Sequence, residues 1–239
     1  MKNIAIIIAG GSGKRMGQDV PKQFLTINDK PIIIYTLENF QRNENIDDII
    51  VVCIAGWQHV LEAYAKQFGI TKLKQIVSGG ESGQHSILNG VEAIYSKYPD
   101  DTCVVIHDGI RPLVDESVLN DVIDTCEKYG NGVTSLPYNE QIFVIKDELS
   151  TEKYIPRETL RRVSTPQAYK LGKLYDSYQK AIEKNIGFTA SSYVNTMMVD
   201  LGETLYFAKG SDKNIKLTTK DDLQIFMGYL QGADKNWLK

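Results

Sequence analysis

The chain has few residues of the kinds that hold small secreted proteins or metal-rich proteins together. It contains 3 cysteines and 3 histidines in 239 residues. The cysteines (Cys53, Cys103 and Cys126) lack the paired spacing of a zinc site, and an odd number cannot all pair in disulfides. Two of them lie in apolar runs that are typical of buried strands. We therefore expect reduced thiols in the core.

The sequence also lacks a long apolar run and an excess of positive charge. No stretch reaches the ~18 apolar residues of a membrane-spanning helix, and the N-terminus lacks the small-residue cleavage site of a signal peptide. Lysine and arginine number 27 against 30 aspartate and glutamate, a net charge of −3, and they form no long runs. These features disfavour a membrane protein or a general nucleic-acid binder and predict a cytoplasmic protein.

What is present is the pattern of an α/β domain. A chain of 239 residues that is 42% apolar can bury one large core, so we predict a single domain over residues 1–239. Strand-like runs occupy residues 3–9, 48–54, 74–78, 102–107 and 131–136, and helical patterns occupy residues 31–42, 57–68, 83–97, 115–128, 171–184 and 219–232. Their alternation predicts a Rossmann-like, mostly parallel sheet with helices on both faces.

This alternation breaks at residues 137–162. A polar stretch there contains four consecutive apolar residues, Ile142 to Ile145, and the pattern predicts a β-hairpin arm that projects from the sheet. An exposed hairpin rarely leaves so much apolar surface in water. The arm is therefore expected to be buried in a contact.

A glycine-rich loop follows the first predicted strand and carries the strongest functional signal. Gly10, Gly11 and Gly13 are followed by a cluster of three cations, Lys14, Arg15 and Lys22. Glycine lets backbone N–H groups approach phosphate oxygens, and the cations offset charge that builds up during phosphoryl or nucleotidyl transfer. The loop is therefore expected to bind a polyphosphate.

Two better-known phosphate loops do not fit these residues. A P-loop requires glycine where Ile8 stands and serine or threonine where Arg15 stands. The dinucleotide fingerprint requires a third glycine where Met16 stands, which disfavours an NAD site.

Further motifs follow the glycine loop along the chain. They are Pro21-Lys22-Gln23, Gly79-Gly80-Glu81, Ser86, Asn89-Gly90, His107-Asp108-Gly109-Ile110-Arg111-Pro112, Arg157, Thr165-Pro166-Gln167, Thr189, Asn214-Ile215-Lys216-Leu217-Thr218 and Asp222-Leu223. In their order and spacing, the glycine loop and these motifs resemble the cytidylyltransferases that activate polyol phosphates, namely the methylerythritol-phosphate and ribitol-phosphate enzymes. The resemblance covers residues 3 to about 232.

This resemblance implies a fold and a reaction. The fold would be that of GT-A-like nucleotidyltransferases, with the arm locking a homodimer. The enzyme would transfer CMP from CTP to a phosphorylated polyol with Mg²⁺ as cofactor, giving a CDP-alditol and pyrophosphate.

The resemblance also assigns roles to residues. Arg15, Lys22 and Lys216 would be catalytic and stabilise the charge on the phosphates. The CTP site would contain Ala9, Gly10, Gly11, Gly13, Lys14, Gly80, Glu81, Ser86 and Asp108. The acceptor site would contain Asp108, Arg111, Gln141, Arg157, Thr189 and Lys216, with Arg157 supplied by the second subunit.

Three of these positions have a second interpretation. Asp108 ends a strand, where it can bind Mg²⁺, accept a hydrogen bond from a polyol hydroxyl, or merely cap the following turn. Ser86 can contact the nucleotide or cap the helix that begins near it. His107 can orient its loop through a backbone hydrogen bond, and it is left out of the catalytic set because an anionic nucleophile needs no base.

The chain departs from its relatives around the acceptor and the second glycine loop. Gly83 stands where arginine is common and His85 where aspartate or asparagine is common. The family's Asp-Thr on the arm is Glu140-Gln141, and Ala190 replaces an acidic residue after Thr189. Since buried polar groups discriminate strongly between hydroxylated substrates, these changes favour ribitol 5-phosphate, then glycerol phosphate, over methylerythritol phosphate.

Two other classes compete with this interpretation. Sugar-1-phosphate nucleotidyltransferases that use UTP or TTP have a similar glycine loop, but Thr165-Pro166-Gln167 and Asn214-Ile215-Lys216 favour the cytidylyl branch. An inactive relative that only binds CDP-polyols or a partner protein would also explain Gly83 and Ala190. No nucleic-acid or membrane partner is expected in any of these cases.

Overall fold

The computed structural model describes residues 2–11, 20–188 and 193–232. The strands are β1 (Asn3–Ala9), β2 (Thr26–Ile27), β3 (Lys30–Pro31), β4 (Asp48–Cys53), β5 (Leu73–Ser78), β6 (Cys103–Asp108), β7 (Asn131–Pro137), β8 (Ile142–Asp147), β9 (Ser150–Ile155), β10 (Arg161–Lys170) and β11 (Phe207–Lys209). The helices are α1 (Ile32–Arg42), α2 (Gln58–Gln67), α3 (Gly83–Tyr95), α4 (Glu116–Tyr129), α5 (Leu171–Lys184), α6 (Val194–Asp200) and α7 (Lys220–Gly232).

A seven-stranded sheet in the order β11-β7-β10-β6-β1-β4-β5 forms the centre of the protein. Neighbouring strands are parallel except at β10, which is antiparallel to both β6 and β7. This arrangement confirms the predicted α/β fold with a mostly parallel sheet. All the predicted strands and helices are present, with small differences at their ends.

Helices cover both faces of this sheet because its central strands are apolar on both sides. In β1, Ala5 and Ile7 pack in the core that contains α1, α2 and α4, whereas Ile4 and Ile6 pack in the core that contains α3, α5 and α6. The four side chains are fully buried. An apolar run without alternation is what a parallel strand buried on both faces requires.

The sequence analysis missed β10, α6 and β11. The segment Arg161–Lys170 contains Pro166 and several polar residues, and a proline argues against an interior strand. In the structure, the pairing of β10 with β7 is irregular between Val163 and Gln167. Pro166 therefore lies where the hydrogen bonding between β10 and β7 is interrupted, and the N–H group that proline lacks is not needed there.

The predicted arm is present as the antiparallel hairpin of β8 and β9. Its strands are largely exposed, including Phe143 at 53% and Ile145 at 81%. The three cysteines are buried and free, as expected. Within the described ranges, the helices lack the length and apolar character needed to cross a membrane.

Replacing Gly90 with alanine is expected to destabilise the fold by about 1–3 kcal/mol. Gly90 faces the sheet, and an added Cβ would lie 2.8 Å from Ile6 Cγ2 and 2.9 Å from Val52 Cγ2. Both neighbours are β-branched and buried, so they cannot rotate away. Thermal unfolding measures the change. The control Gly228→Ala, on an exposed part of α7 with open space around it, should be neutral or stabilising; equal melting temperatures for both variants would contradict the prediction.

Candidate active site

The loops after β1 and β6 leave the sheet side by side. The two strands are parallel and in register, with Ile8 opposite Asp108, and Gly109 N donates a hydrogen bond of 2.9 Å to Ile8 O. The chain passes from β1 to β4 and β5 on one side and returns to β6 on the other. Ligands of such sheets bind in the crevice where the strand order reverses, beyond the carboxyl ends of the strands.

The first glycine loop is held from below by Gln23. This side chain is 1% exposed, and its Nε2 donates to Ala9 O at 2.7 Å and Gly11 O at 3.1 Å. Lys22 precedes it in a 3-10 turn, Lys22–Phe24. The described part of the loop and Lys22 are therefore neighbours, as predicted. The other predicted residues of this loop, Gly13, Lys14 and Arg15, lie outside the described residues.

The second glycine loop packs directly against the first. A Cβ added to Gly10 would lie 3.1 Å from Ser86 Oγ and 3.4 Å from Gly79 Cα. Ser86 Oγ accepts a hydrogen bond of 3.0 Å from Gly80 N. Three of the predicted nucleotide contacts (Gly10, Gly80 and Ser86) thus share one small volume, and only residues without side chains allow the two loops to approach so closely.

The interpretation of Ser86 as a helix cap is wrong. Helix α3 begins at Gly83, and its N-cap is Ser82, whose Oγ accepts from His85 N at 3.3 Å. Ser86 lies one turn into the helix. Glu81, which was also predicted to contact the nucleotide, is exposed at the rim of the loop.

Asp108, at the end of β6, is the centre of a cluster of charges. Its Oδ1 accepts from Lys216 Nζ at 2.9 Å, and its Oδ2 accepts from Arg111 Nε at 2.9 Å. Thr165 Oγ1 donates to Oδ2 at 3.2 Å and accepts from Asp108 N at 3.1 Å. The carboxylate does more than cap the turn, because it joins β10 and the segment before α7 to the end of β6.

Asn214 completes this cluster from behind. Its Nδ2 donates to Thr165 O at 2.8 Å, and its O accepts from Arg111 Nη1 at 2.7 Å. Thr165 and Asn214 were part of the motifs that carry the resemblance, but neither was predicted as a site residue. Their positions in those motifs could have indicated them, because Thr165 directly precedes Pro166 and Asn214 lies two residues before Lys216.

The electrostatics of the cluster keep Asp108 ionised. Burial opposes its charge, but Lys216 and Arg111 hold the pKa of this carboxyl well below its usual range. One carboxylate between two cations leaves a net positive charge facing the crevice. The cluster can therefore attract a second anion, such as a phosphate.

His107 lies behind this cluster and is neutral. Burial lowers the pKa of His107 to about 4. Its Nε2 lies 3.2 Å from Arg111 O, which fits a ring that donates to this carbonyl. This contact matches the predicted role of orienting the loop.

A protein-only magnesium site does not form from the described residues, which contain no group of three or more His, Cys, Asp or Glu placed to hold a metal ion. Mg²⁺ that accompanies nucleotides commonly takes one or two carboxylates and completes its shell with phosphate oxygens and water. Asp108 would be the single carboxylate of this second type of site only through the lone pair of Oδ1 that Lys216 leaves unused, because Oδ2 accepts from both Arg111 and Thr165.

The predicted acceptor residues are spread over the chain. Arg157 lies in the arm, where its Nη1 donates to Asn139 O at 3.1 Å and its Nε lies 3.7 Å from Glu158 Oε1. Gln141, next to the start of β8, is exposed. Among the described residues, no recorded hydrogen bond or ion pair joins the arm to the Asp108 cluster. Thr189 lies outside the described residues.

Comparison with known proteins gives a consistent picture. The family described as 2-C-methyl-D-erythritol 4-phosphate cytidylyltransferase (IspD) matches residues 3–231. A ribitol-5-phosphate cytidylyltransferase of Lacticaseibacillus paracasei is 61% identical over 95% of this chain and 97% of its own. A 2-C-methyl-D-erythritol 4-phosphate cytidylyltransferase of Clostridium novyi is 34% identical over 93% of this chain and 94% of its own.

Solved structures support the fold. The crystal structure of 4-diphosphocytidyl-2C-methyl-D-erythritol synthase from Anaerococcus prevotii superposes with a TM-score of 0.81 at 21% identity, covering 96% of each chain. At this identity the likeness concerns the fold alone.

Proposed function

Because the chain belongs to the IspD family and is a CTP-dependent cytidylyltransferase, we propose that it transfers CMP from CTP to ribitol 5-phosphate. The products are CDP-ribitol and pyrophosphate. The observation that carries this choice of acceptor is the 61% identity to a ribitol-5-phosphate cytidylyltransferase, against 34% for a methylerythritol-phosphate relative. The substitutions Gln141 and Ala190 support it from the sequence.

In the proposed reaction, a phosphate oxygen of the acceptor attacks the α-phosphorus of CTP. A new P–O bond forms, the bond to the β-phosphate oxygen breaks, and pyrophosphate leaves with the electron pair. Because both reactants are anions, catalysis consists mainly of positioning them and stabilising negative charge. The reaction requires no general base, because the attacking oxygen is already an anion, and this fits the neutral His107 behind the loop.

The cations divide this work between the two sides of the crevice. Arg15 and Lys22 would contact the triphosphate from the first glycine loop. Lys216 would contact the α-phosphate from the opposite side. Its ammonium group has three donors and its hydrogen bond to Asp108 uses one, so donors remain for phosphate oxygens. Asp108 would hold the Lys216 side chain in place, so that less of its conformational entropy is lost when the phosphate binds.

The two packed glycine loops would bind the cytidine. Ala9, Gly10 and Gly80 would offer backbone groups at short range to the base, and Ser86 would offer a hydroxyl near the ribose. Asp108 would hold the Mg²⁺ that accompanies the nucleotide, and the ion would supply neutralisation of the negative charge on the pyrophosphate.

The acceptor site would be completed by a second copy of the chain. Arg157 has a planar guanidinium that suits a phosphate monoester, yet it lies in the exposed arm. The arm also exposes Phe143, Ile145 and Tyr154, at 53%, 81% and 70%. A homodimer formed through the arms would cover this apolar surface and bring Arg157 to the partner's crevice, with Thr189 and Gln141 near the polyol.

Replacing Phe143 with glutamate is expected to give a monomer with little activity. The charge would stand where an apolar side chain is buried in the dimer, at a cost of several kcal/mol, and the acceptor site would lose the partner's Arg157. Light scattering after gel filtration measures the mass, and pyrophosphate release measures the activity. The control Lys153→Glu changes the charge of the same hairpin and should leave both unchanged. A Phe143→Glu variant that stays dimeric, or an active monomer, would contradict this role of the arm.

Pyrophosphate release with CTP, Mg²⁺ and separate acceptors tests the proposed reaction. Ribitol 5-phosphate should give the highest kcat/KM, glycerol phosphate and 2-C-methyl-D-erythritol 4-phosphate should give much less, and UTP or TTP should not replace CTP. Mass spectrometry should identify CDP-ribitol. A preference for methylerythritol phosphate would overturn the choice of acceptor, since the substitutions Gln141 and Ala190 would then not determine it.

A CDP-alditol is an activated building block. We propose that the protein works in the cytoplasm, where it supplies CDP-ribitol for cell-wall or capsule polymers.

A further inference from the structure

The side chain of Gln84 joins two distant parts of the active site. Gln84 is the second residue of α3, which directly follows the second glycine loop, and it is 2% exposed. Its Nε2 donates to Gly187 O at 3.0 Å, across 103 residues of chain, and its Oε1 accepts from Tyr178 OH at 3.0 Å. Both ends of the amide are therefore used, and its orientation is fixed.

Gly187 is held at this place from a second side. Its φ is +79°, and an added Cβ would lie 2.5 Å from Met197 Cγ. No other residue type fits this backbone conformation and this space. The carbonyl group that Gln84 binds thus belongs to Gly187, which packs closely against α6.

The next residue, Phe188, also packs on α3. Its ring centroid lies 5.0 Å from that of His85 and 6.4 Å from that of Tyr178. His85 Nδ1 is 2.8 Å from Ser82 Oγ, the cap of α3. The first turn of α3 therefore contacts the second glycine loop, here called the nucleotide loop, through Ser86, and it contacts residues 187–188 through Gln84 and His85.

We propose that Gln84 is a positioning residue that fixes the segment 187–188, and so the acceptor, relative to the nucleotide loop. This inference rests on the proposed function, in which Thr189 contacts the polyol. Phe188 directly precedes Thr189 in the sequence, so the residue proposed to contact the polyol follows a position that is fixed. Without Gln84, the acceptor would have to order this segment when it binds, and part of its binding free energy would be lost.

A merely structural role predicts a different outcome. If Gln84 only stabilised the packing of α3 on α5, an apolar side chain of similar volume would serve, and any disturbance would affect both substrates alike. A positioning role affects the acceptor alone, because the hydrogen bond of the nucleotide loop to Ser86 does not involve the Gln84 amide.

The variant Gln84→Met tests this difference, because it keeps the volume and removes both hydrogen bonds. We expect KM for the acceptor to rise at least fivefold, with KM for CTP within twofold of wild type. The control Tyr178→Phe removes only the hydroxyl that bonds Gln84 Oε1 and keeps the bond to Gly187, so both KM values should stay within twofold. An equal rise in both KM values for Gln84→Met, or no rise, would overturn the proposal.

A second variant and a prior test of acceptor preference keep the result for Gln84 interpretable. If Gln84→Met does not fold by circular dichroism, Phe188→Leu replaces it, because it removes the ring contacts of Phe188 with His85 and Tyr178: KM for the acceptor should rise while KM for CTP stays near wild type, and any other result rejects the coupling. The wild-type enzyme is first tested with each acceptor, and the KM comparison then uses whichever acceptor it prefers. A failure of the ribitol assignment is thereby separated from a failure of the positioning role.

Discussion

Replacing Lys22 with alanine is expected to lower kcat by about 100-fold or more, while the melting temperature changes by only a few degrees. In the proposed mechanism Lys22 faces the negative charge that develops on the triphosphate, and one preorganised donor at such a place commonly contributes 10²–10³ in kcat, that is about 3–4 kcal/mol. The small thermal effect follows because Lys22 is only half-buried and lies at the start of a short turn. Single-turnover pyrophosphate release at saturating CTP measures the chemical step.

A matched control for this substitution is Lys30→Ala. Lys30 Nζ pairs with Glu38 Oε1 at 2.7 Å near the start of α1 and faces the rings of Tyr35 and Phe68. Its loss should lower stability, because the pair is only about a quarter exposed, and leave kcat unchanged. A turnover of Lys22→Ala within threefold of wild type would remove Lys22 from the mechanism.

Replacing Lys216 with methionine is expected to lower kcat by a similar factor of about 10²–10³. Asp108→Asn should also lower kcat strongly, because the amide leaves Lys216 and Arg111 without the anion that holds them. Since the two side chains act as one unit, the double variant should lose far less than the product of the two single losses. The kcat values of the wild type, the two single variants and the double variant give the coupling energy between Lys216 and Asp108.

Stability gives the control for this cycle. The Lys216 and Asp108 side chains are only 35% and 18% exposed, so removing one partner is expected to lower the free energy of unfolding as well as kcat, and the melting temperature of each variant is measured beside its kcat. Losses in kcat that simply multiply in the double variant would show that Lys216 and Asp108 act independently, contrary to the prediction. A folded, fully active Lys216→Met would remove Lys216 from the catalytic set.

The fold class could be predicted from the sequence because its signal is local. Apolar runs such as 3–9 and 102–107 have no alternation, which only strands buried on both faces tolerate, and amphipathic helices separate them. The glycine loop was recognisable for the same reason, since its chemistry lies in consecutive residues. The resemblance to the cytidylyltransferases added the order of the motifs along the chain, which the family match over residues 3–231 bears out.

Other features escaped because they depend on distant partners. β10 forms with a proline in it because β6 and β7 pair with its two edges. Ser86 was interpreted as a possible cap, whereas the approach of Gly79 and Gly10 makes it part of the contact between two loops. Gln84 carried no signal at all, because its partner Gly187 is 103 residues away.

The sequence by itself determined the α/β fold and the cytidylyltransferase family, and it predicted the polyphosphate loop, since each of these depends on short segments whose conformation and chemistry are local. Only the tertiary structure decided that Asp108, Thr165 and Lys216 form one charged cluster, with partners 57 and 108 residues from Asp108. Hydrogen bonds and ion pairs over such separations depend on the path of the chain between them. The packing of the whole core fixes that path, and the local secondary-structure propensities do not.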